Sequence, residues 1–150
     1  MSEPKVLFED HGSIAVIKLN RPEKRNALDP ETVMMFNEFS EKAKDPKFRA
    51  VIVTGDESAF CGGADITAAA SEDGMGWKSV EQALNEGYHV GLNNMIYMDK
   101  VVITAVEGAC AGIGCAYYLS SDIAVMAKSS FFQIGFSKIC LLYTSDAADD

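Results

Sequence analysis

Histidine is scarce in this chain. Its 150 residues hold only His11 and His89, far apart and each in polar sequence. A metal centre needs several ligands at close spacing, so this scarcity sets one aside. Four cysteines, Cys61, Cys110, Cys115 and Cys140, form no C-x-x-C pair and sit mostly among small apolar residues. That pattern fits buried, reduced thiols in a cytosolic or organellar protein, not a disulfide framework. No run of about 18 apolar residues occurs, so no membrane span is expected. Met1-Ser2-Glu3-Pro4-Lys5 lacks the basic-then-apolar order of a secretion signal, and a cytoplasmic location is the expectation. Basic residues are outnumbered, 13 Lys and Arg against 22 Asp and Glu, for a formal net charge of −9. Nucleic-acid binding rests on clustered cations, so that class is a poor prospect. A local cluster can still serve a small anion. Arg21-Pro22-Glu23-Lys24-Arg25 is one, although taken alone it reads as a solvated loop.

What is present is one domain's worth of chain, 48% apolar and 23% charged. Val6-Leu7-Phe8 and Ile14 to Leu19 flank the turn cluster Asp10-His11-Gly12-Ser13 and predict a hairpin. Asp29 as cap, Pro30 at the first position, and Val33, Phe36, Phe39 and Ala43 at helical spacing predict a helix from about Pro30 to Lys44. Ala50 to Thr54 reads as a buried strand closed by Gly55. Ser58 to Ile66 reads as a Gly/Ala-rich loop and Ser71 to Gly76 as an excursion. A second helix is predicted from about Ser79 to Met98, with Val80, Leu84, Leu92 and Met95 on one face. Val101 to Val106 is a further strand. The small-residue segment Gly108 to Ala116 leads into a short helix, and a third strand follows near Ile123 to Ala127. Strand, small-residue loop, helix and strand alternate, which argues for an α/β fold.

Two loops could carry chemistry. Ala59-Phe60-Cys61-Gly62-Gly63-Ala64-Asp65-Ile66 and Gly108-Ala109-Cys110-Ala111-Gly112-Ile113-Gly114-Cys115-Ala116 each follow a buried strand and precede a helix. Small residues let a ligand approach the backbone, and one N–H from each loop could meet the same oxygen, as in an oxyanion hole. For either loop alone, tight helix-on-strand packing explains the composition equally well. Gly112-Ile113-Gly114 begins a dinucleotide fingerprint but ends on Tyr117, and no phosphate-binding P-loop or G-x-S-x-G elbow occurs.

Taken together, Asn20 to Leu28, Phe60 to Ile66 and Ala105 to Ile123 resemble the crotonase family, the enoyl-CoA hydratase/isomerase superfamily, over about Val6 to Ile139. The resemblance implies a crotonase-like spiral of repeated ββα units, truncated before the C-terminal helical region that builds a homotrimer or dimer of trimers. Residues 1–139 would be the N-terminal part of that domain and 140–150 an atypical tail, read equally well as a natural disordered end or as foreign sequence. Truncation would leave the strands around Val51 and Val101 incompletely covered. The resemblance places the thioester-oxygen donors at the N–H groups of Ala64 and Ile113, with Ile113 standing where a glycine is usual. It places CoA contacts at Arg25, Ala27, Gly62, Ala64, Asp65, Ile66 and Gly112. CoA is then part of the substrate, and no separate cofactor is implied.

The acid–base groups depart from the family pattern. The two glutamates of the hydratases map to Ala116 and Phe136. The stretch Phe132 to Ile139 is similar to a subgroup that includes the ring-opening phenylacetyl-CoA isomerases, in which Gly-Leu-x-Pro-Asp follows. Here Cys140 stands at the Gly, Tyr143 at the Pro and Thr144 at the Asp. Asp65 is expected to cap the helix behind its loop, and Glu107 to be an exposed strand-end acid. The resulting expectation is an acyl-CoA isomerase or hydratase, isomerase ahead, of fatty-acid or aromatic-acid catabolism, with this chain itself inactive. The alternative is a non-catalytic acyl-CoA-binding or oligomer-forming paralogue.

Overall fold

A computed structural model of the chain describes residues 3–69, 77 and 79–135. Strands β1 (Val6–Asp10) and β2 (Ile14–Leu19) form the predicted hairpin, Val6 opposite Leu19 and Asp10 opposite Ala15. Gly12 turns it at φ 74°, with its N–H on Asp10 Oδ1 at 2.9 Å. In β2 the period of two is plain: Ala15, Ile17 and Leu19 are buried, and the residues between them are more exposed.

Helix α1 (Pro30–Lys42) starts where its capping signal lies, because Asp29 Oδ1 accepts from the Thr32 N–H at 2.8 Å and the Thr32 hydroxyl at 2.7 Å. Strand β3 (Ala50–Thr54) runs parallel to β2, β5 (Val101–Val106) parallel to β3, and β7 (Ile123–Met126) parallel to β5. The five-stranded sheet therefore has the order β1-β2-β3-β5-β7.

A second sheet corrects the expectation of plain loops. Within Ser58 to Ile66 lies strand β4 (Ala59–Cys61), and within Gly108 to Ala116 lies β6 (Ala109–Ala111). With β8 (Phe131–Gln133) they form a parallel sheet in the order β4-β6-β8, Cys61 opposite Cys110 and Cys110 opposite Phe132. Three-residue strands are too short to show a period, so composition alone read them as loop. From β3 on, each long strand is thus followed by a short one in the other sheet. β3-β4 leads to helix α2 (Ile66–Ala69) and β5-β6 to helix α5 (Ile113–Leu119), while β7-β8 starts a third pair. This is the anticipated ββα repeat.

The helical segment before β5 also differs. It comprises α3 (Val80–Gln82), a π-helical turn (Ala83–Tyr88) and α4 (His89–Ile96), with Ser79 Oγ capping its start at 3.1 Å from the Gln82 N–H. Of the predicted stripe, Met95 is buried and Leu92 packs against the core, whereas Val80 is 69% exposed and Leu84 36%. Ala83, Gly87, Tyr88 and Gly91 complete the buried face. The π turn inserts a residue and rotates the face. Close approach to α1 then selects glycine, since a Cβ on Gly91 would lie 2.7 Å from Asn37 Oδ1 and 2.8 Å from Phe36 Cδ1.

The core lies between the large sheet and α1, α4 and α5, where Phe36 and Tyr117 meet edge-on at 4.7 Å. Val51, expected to be undercovered, is 1% exposed, whereas Val101 is 43% exposed as anticipated. The most open apolar residues of the strands are Val125 on β7, 57% exposed, and Phe131 on β8, 53%. No helix among the described residues is long and apolar enough to cross a membrane.

Candidate functional site

The segment Asn20 to Leu28 is held by its own buried polar groups. Asn26 is fully buried; its Oδ1 accepts from the Arg21 N–H at 2.7 Å, and its Nδ2 donates to Ala59 O at 2.7 Å and to Asp56 Oδ2 at 2.9 Å. These bonds pin a 3-10 turn (Pro22–Lys24) followed by two left-handed residues, Arg25 at φ 52° and Asn26 at φ 55°. Asn tolerates that conformation, whereas Arg25 is held in it by its N–H on Pro22 O at 3.0 Å and by its C=O, which accepts from the Gly62 N–H at 2.8 Å. The consequence is that Lys24 and Arg25 project outward. Both are exposed, and among the described residues neither carries an ion pair.

The first small-residue loop lies against this segment. A Cβ on Gly62 would meet Arg25 O at 2.9 Å, so glycine is needed for the approach. Leu28 then bridges the loop in parallel fashion: its N–H donates to Gly63 O at 2.8 Å, and its C=O accepts from the Asp65 N–H at 3.0 Å. In such a bridge the middle residue turns its own amide the other way. Ala64 is that residue, and it is exposed.

The second loop reaches the first at glycine. Gly63 (φ 96°) and Gly112 (φ 51°) face each other so closely that a Cβ on Gly63 would stand 3.1 Å from Ala111 O, and one on Gly112 would stand 3.6 Å from Gly63 Cα. Gly112 is held by its N–H on Gln133 O at 3.0 Å. Ile113 opens α5, where the first N–H groups have no partner within the helix. Its branched side chain packs against the core. Ala64 and Ile113 thus each follow one of two touching glycines.

The remaining sequence-derived residues fall around this contact. Arg25, Ala27, Gly62, Ala64 and Asp65 are tied together through Leu28 and the Arg25–Gly62 hydrogen bond, Ile66 opens α2 and is 57% exposed, and Gly112 completes the group. Asp65 is buried, its Oδ1 accepting from the Thr67 N–H at 3.1 Å and hydroxyl at 2.6 Å, as a capping role requires. Its Oδ2 stands 3.1 Å from Arg21 Nη2, which removes it further from proton transfer. Glu107 is exposed. Ala116, three residues after Ile113 on α5, brings no proton-carrying group to that face. Phe136, Thr144 and the 140–150 tail lie outside the described residues. Cys61, Cys110 and Cys115 are free and buried, and burial pushes the Cys61 thiol up to about 12, too high for a nucleophile. Among the described residues, no group of three His, Cys, Asp or Glu could hold a metal ion. An open cleft of about 530 Å³, lined by Arg49, Asp99, Lys100, Val101 and Asp122 among others, lies at the opposite end of the parallel strands.

Sequence reasoning passed over Arg21 and Asn26. Nothing local separates Arg21 from exposed Arg25, and the partners of both residues come from other segments, Asp65 and Asp29 for Arg21 and Asp56 and Ala59 for Asn26. Asp29, foreseen only as a cap, also belongs to this network, with Lys5 Nζ at 2.6 Å and Arg21 Nη2 at 3.3 Å from its Oδ2. Burial pushes the Asp29 carboxyl up, but Lys5, the Thr32 N–H and hydroxyl, and Arg21 together hold it below its ordinary value. A group lowered in the fold stabilises it above the unfolded pKa, about 4, and loses that contribution as pH falls through the folded value. Asp29→Asn keeps a capping acceptor but no charge. It is expected to lower the urea midpoint at pH 7, with the gap to the parent closing below about pH 4. A gap that persists unchanged at pH 2 would show that the charge is not the cause.

Comparison with known proteins agrees with this architecture. The enoyl-CoA hydratase/isomerase family model matches residues 9–146. A probable enoyl-CoA hydratase of Rhodobacter capsulatus is 33% identical over 142 residues, covering 95% of this chain and 53% of its own length. The 1,2-epoxyphenylacetyl-CoA isomerase of Escherichia coli is 31% identical over 145 residues, covering 91% of this chain and 53% of that protein. A crystal structure of an enoyl-CoA hydratase/carnithine racemase from Magnetospirillum magneticum superposes with a TM-score of 0.83 at 28% identity, covering 97% of this chain and 54% of that one. The chain spans about half the length of these relatives. Two sheets built mainly of parallel strands, repeated ββα units and a match along nearly the whole sequence make this chain a member of the enoyl-CoA hydratase/isomerase family.

Proposed function

We propose that this protein binds acyl-CoA thioesters and stabilises the enolate-like form of the thioester through the N–H groups of Ala64 and Ile113. The observation that supports the reading is the close approach of Gly63 and Gly112, the residues immediately before Ala64 and Ile113 on two separate ββα units. Hydration and double-bond migration both pass through negative charge on that oxygen, and a donor matched to it is worth about 3–4 kcal/mol. Isomerisation is preferred over hydration, because Ala116 stands at a hydratase glutamate position; fatty-acid or aromatic-acid thioesters are the substrate class. The same residue favours one second reading, a paralogue that binds acyl-CoA without turnover. A cytoplasmic location, and a homotrimer or dimer of trimers for the whole protein, belong to the first reading.

The test is titration with a conjugated aryl-acryloyl-CoA while its near-ultraviolet band is followed. Saturable binding with a red shift supports polarisation of the thioester. Binding without a shift favours the binding-only paralogue, and no binding sinks both. Arg25, exposed beside Gly62 and without an ion pair among the described residues, is read as a contact to CoA phosphate. Arg25→Ala is expected to weaken CoA binding by roughly 1–3 kcal/mol, towards the lower end for so exposed a charge. The difference should shrink with added salt. Calorimetry showing equal affinity would return Arg25 to the solvated surface.

A further inference from the structure

We propose that Arg21 is a positioning residue that ties the nucleotide end of the site to its thioester end and so sets the aim of the Ala64 amide. The inference rests on the acyl-CoA reading above and assigns a role to a residue whose side chain is turned away from solvent. The Arg21 side chain is 9% exposed, unlike Lys24 and Arg25 three and four residues later.

Its contacts fall on both sides of Ala64. Nη1 donates to Ala27 O at 2.5 Å, immediately before the bridging Leu28. Nη2 reaches Asp65 Oδ2 at 3.1 Å, immediately after Ala64, and Asp29 Oδ2 at 3.3 Å. Its backbone closes the loop that carries Arg25, the N–H bonded to Asn26 Oδ1 at 2.7 Å and the C=O accepting from the Asn26 N–H at 2.9 Å. One planar guanidinium therefore holds the Arg25–Ala27 loop, the capped end of the Ala64 loop and the start of α1. Its fixed fork suits this task, whereas a lysine offers one point charge and cannot span the same acceptors.

The Leu28 ladder bonds fix the loop's backbone on both sides of Ala64. The Arg21–Asp65 pair adds a side-chain tie at the residue immediately after it. A donor amide contributes fully only when aimed at the developing oxyanion, so small misalignment costs polarisation before it costs affinity. Affinity for CoA itself, set by Lys24, Arg25 and the loop backbone, should be less sensitive.

The experiment compares the parent chain with Arg21→Lys, Arg21→Met and Arg25→Ala. The probes are free CoA by calorimetry and the aryl-acryloyl-CoA red shift at saturation. Arg21→Met is expected to keep free-CoA affinity within about threefold yet lose more than about half of the red shift. Arg21→Lys should recover little of it. Arg25→Ala should show the reverse, weaker binding with a full shift once saturated. Because Arg21→Met strands two carboxylates, the double variant Arg21→Met/Asp65→Asn is included; Asn keeps the acceptor for Thr67 and removes one charge. It should fold and show the same lost shift. A full red shift at saturation in Arg21→Met or in the double variant overturns the proposal while leaving the acyl-CoA reading intact. Absence of any shift in the parent overturns that reading, and this inference with it.

Discussion

Gly108→Ala is expected to be the most destabilising single-methyl change in the chain. Gly108 sits at φ 60° at the corner where β5 passes into β6, bridged to Ala59 of β4. A Cβ there would lie 2.1 Å from the Ser58 carbonyl oxygen, 2.3 Å from its carbon and 2.8 Å from the Ala59 nitrogen. All three are backbone atoms at the matching corner of the preceding repeat, so no rotamer change relieves the clash. Left-handed strain and overpacking together suggest roughly 2–5 kcal/mol, a large share of the ~5–15 kcal/mol that holds a typical domain. Gly12→Ala is the control. Gly12 has φ 74° but nothing within 4 Å of a Cβ, so conformational strain alone should cost about 1–2 kcal/mol. Urea unfolding followed by far-ultraviolet dichroism and by the single tryptophan, Trp77, measures both. Equal losses would show that the corner yields, and that the two sheets are less rigidly joined than these distances indicate.

Ala64→Pro should have the largest effect on chemistry. Proline deletes one of the two N–H groups assigned to the thioester oxygen. The ladder to Leu28 uses the Gly63 carbonyl and the Asp65 N–H, so that bridge loses no bond. Gly63, as the preceding residue, tolerates the added steric demand. Loss of one oxyanion donor is typically worth ~10²–10³ in rate. The aryl-acryloyl-CoA red shift should collapse, and 3-enoyl-CoA isomerisation, measured in any family member grafted with these loops, should fall by that factor. Ala64→Gly, which keeps the N–H, should retain both. A normal shift in Ala64→Pro, with the fold intact by dichroism, would remove Ala64 from the oxyanion site.

The acid–base question has a different character. The family resemblance puts Ala116 at a hydratase glutamate position, and the structure places Ala116 on α5; among the described residues Asp65 is bound to Arg21 and Thr67, and Glu107 is exposed. Scaffold and donors can persist where the proton carrier does not, because backbone amides survive side-chain replacement and carboxylates do not.

What the sequence by itself determined was whatever local periodicity and capping chemistry encode. The β1–β2 hairpin, α1 with its Asp29 cap, the long strands β3, β5 and β7, and the paired glycine loops were all legible, because each signal lies within a few residues of its effect. Only the tertiary structure decided the second sheet, whose three-residue strands carry no period of their own. It also rotated the face of the 80–96 helix, since a π turn placed Gly87 inward, its C=O accepting from Asn37 Nδ2 of α1 at 2.9 Å, and Gly91 against Phe36 and Asn37 of α1. Above all it separated Arg21 from Arg25. Four positions apart and chemically alike, one is buried between Asp65 and Asp29 and the other faces solvent, because the acceptors that select Arg21 come from segments up to 44 residues away.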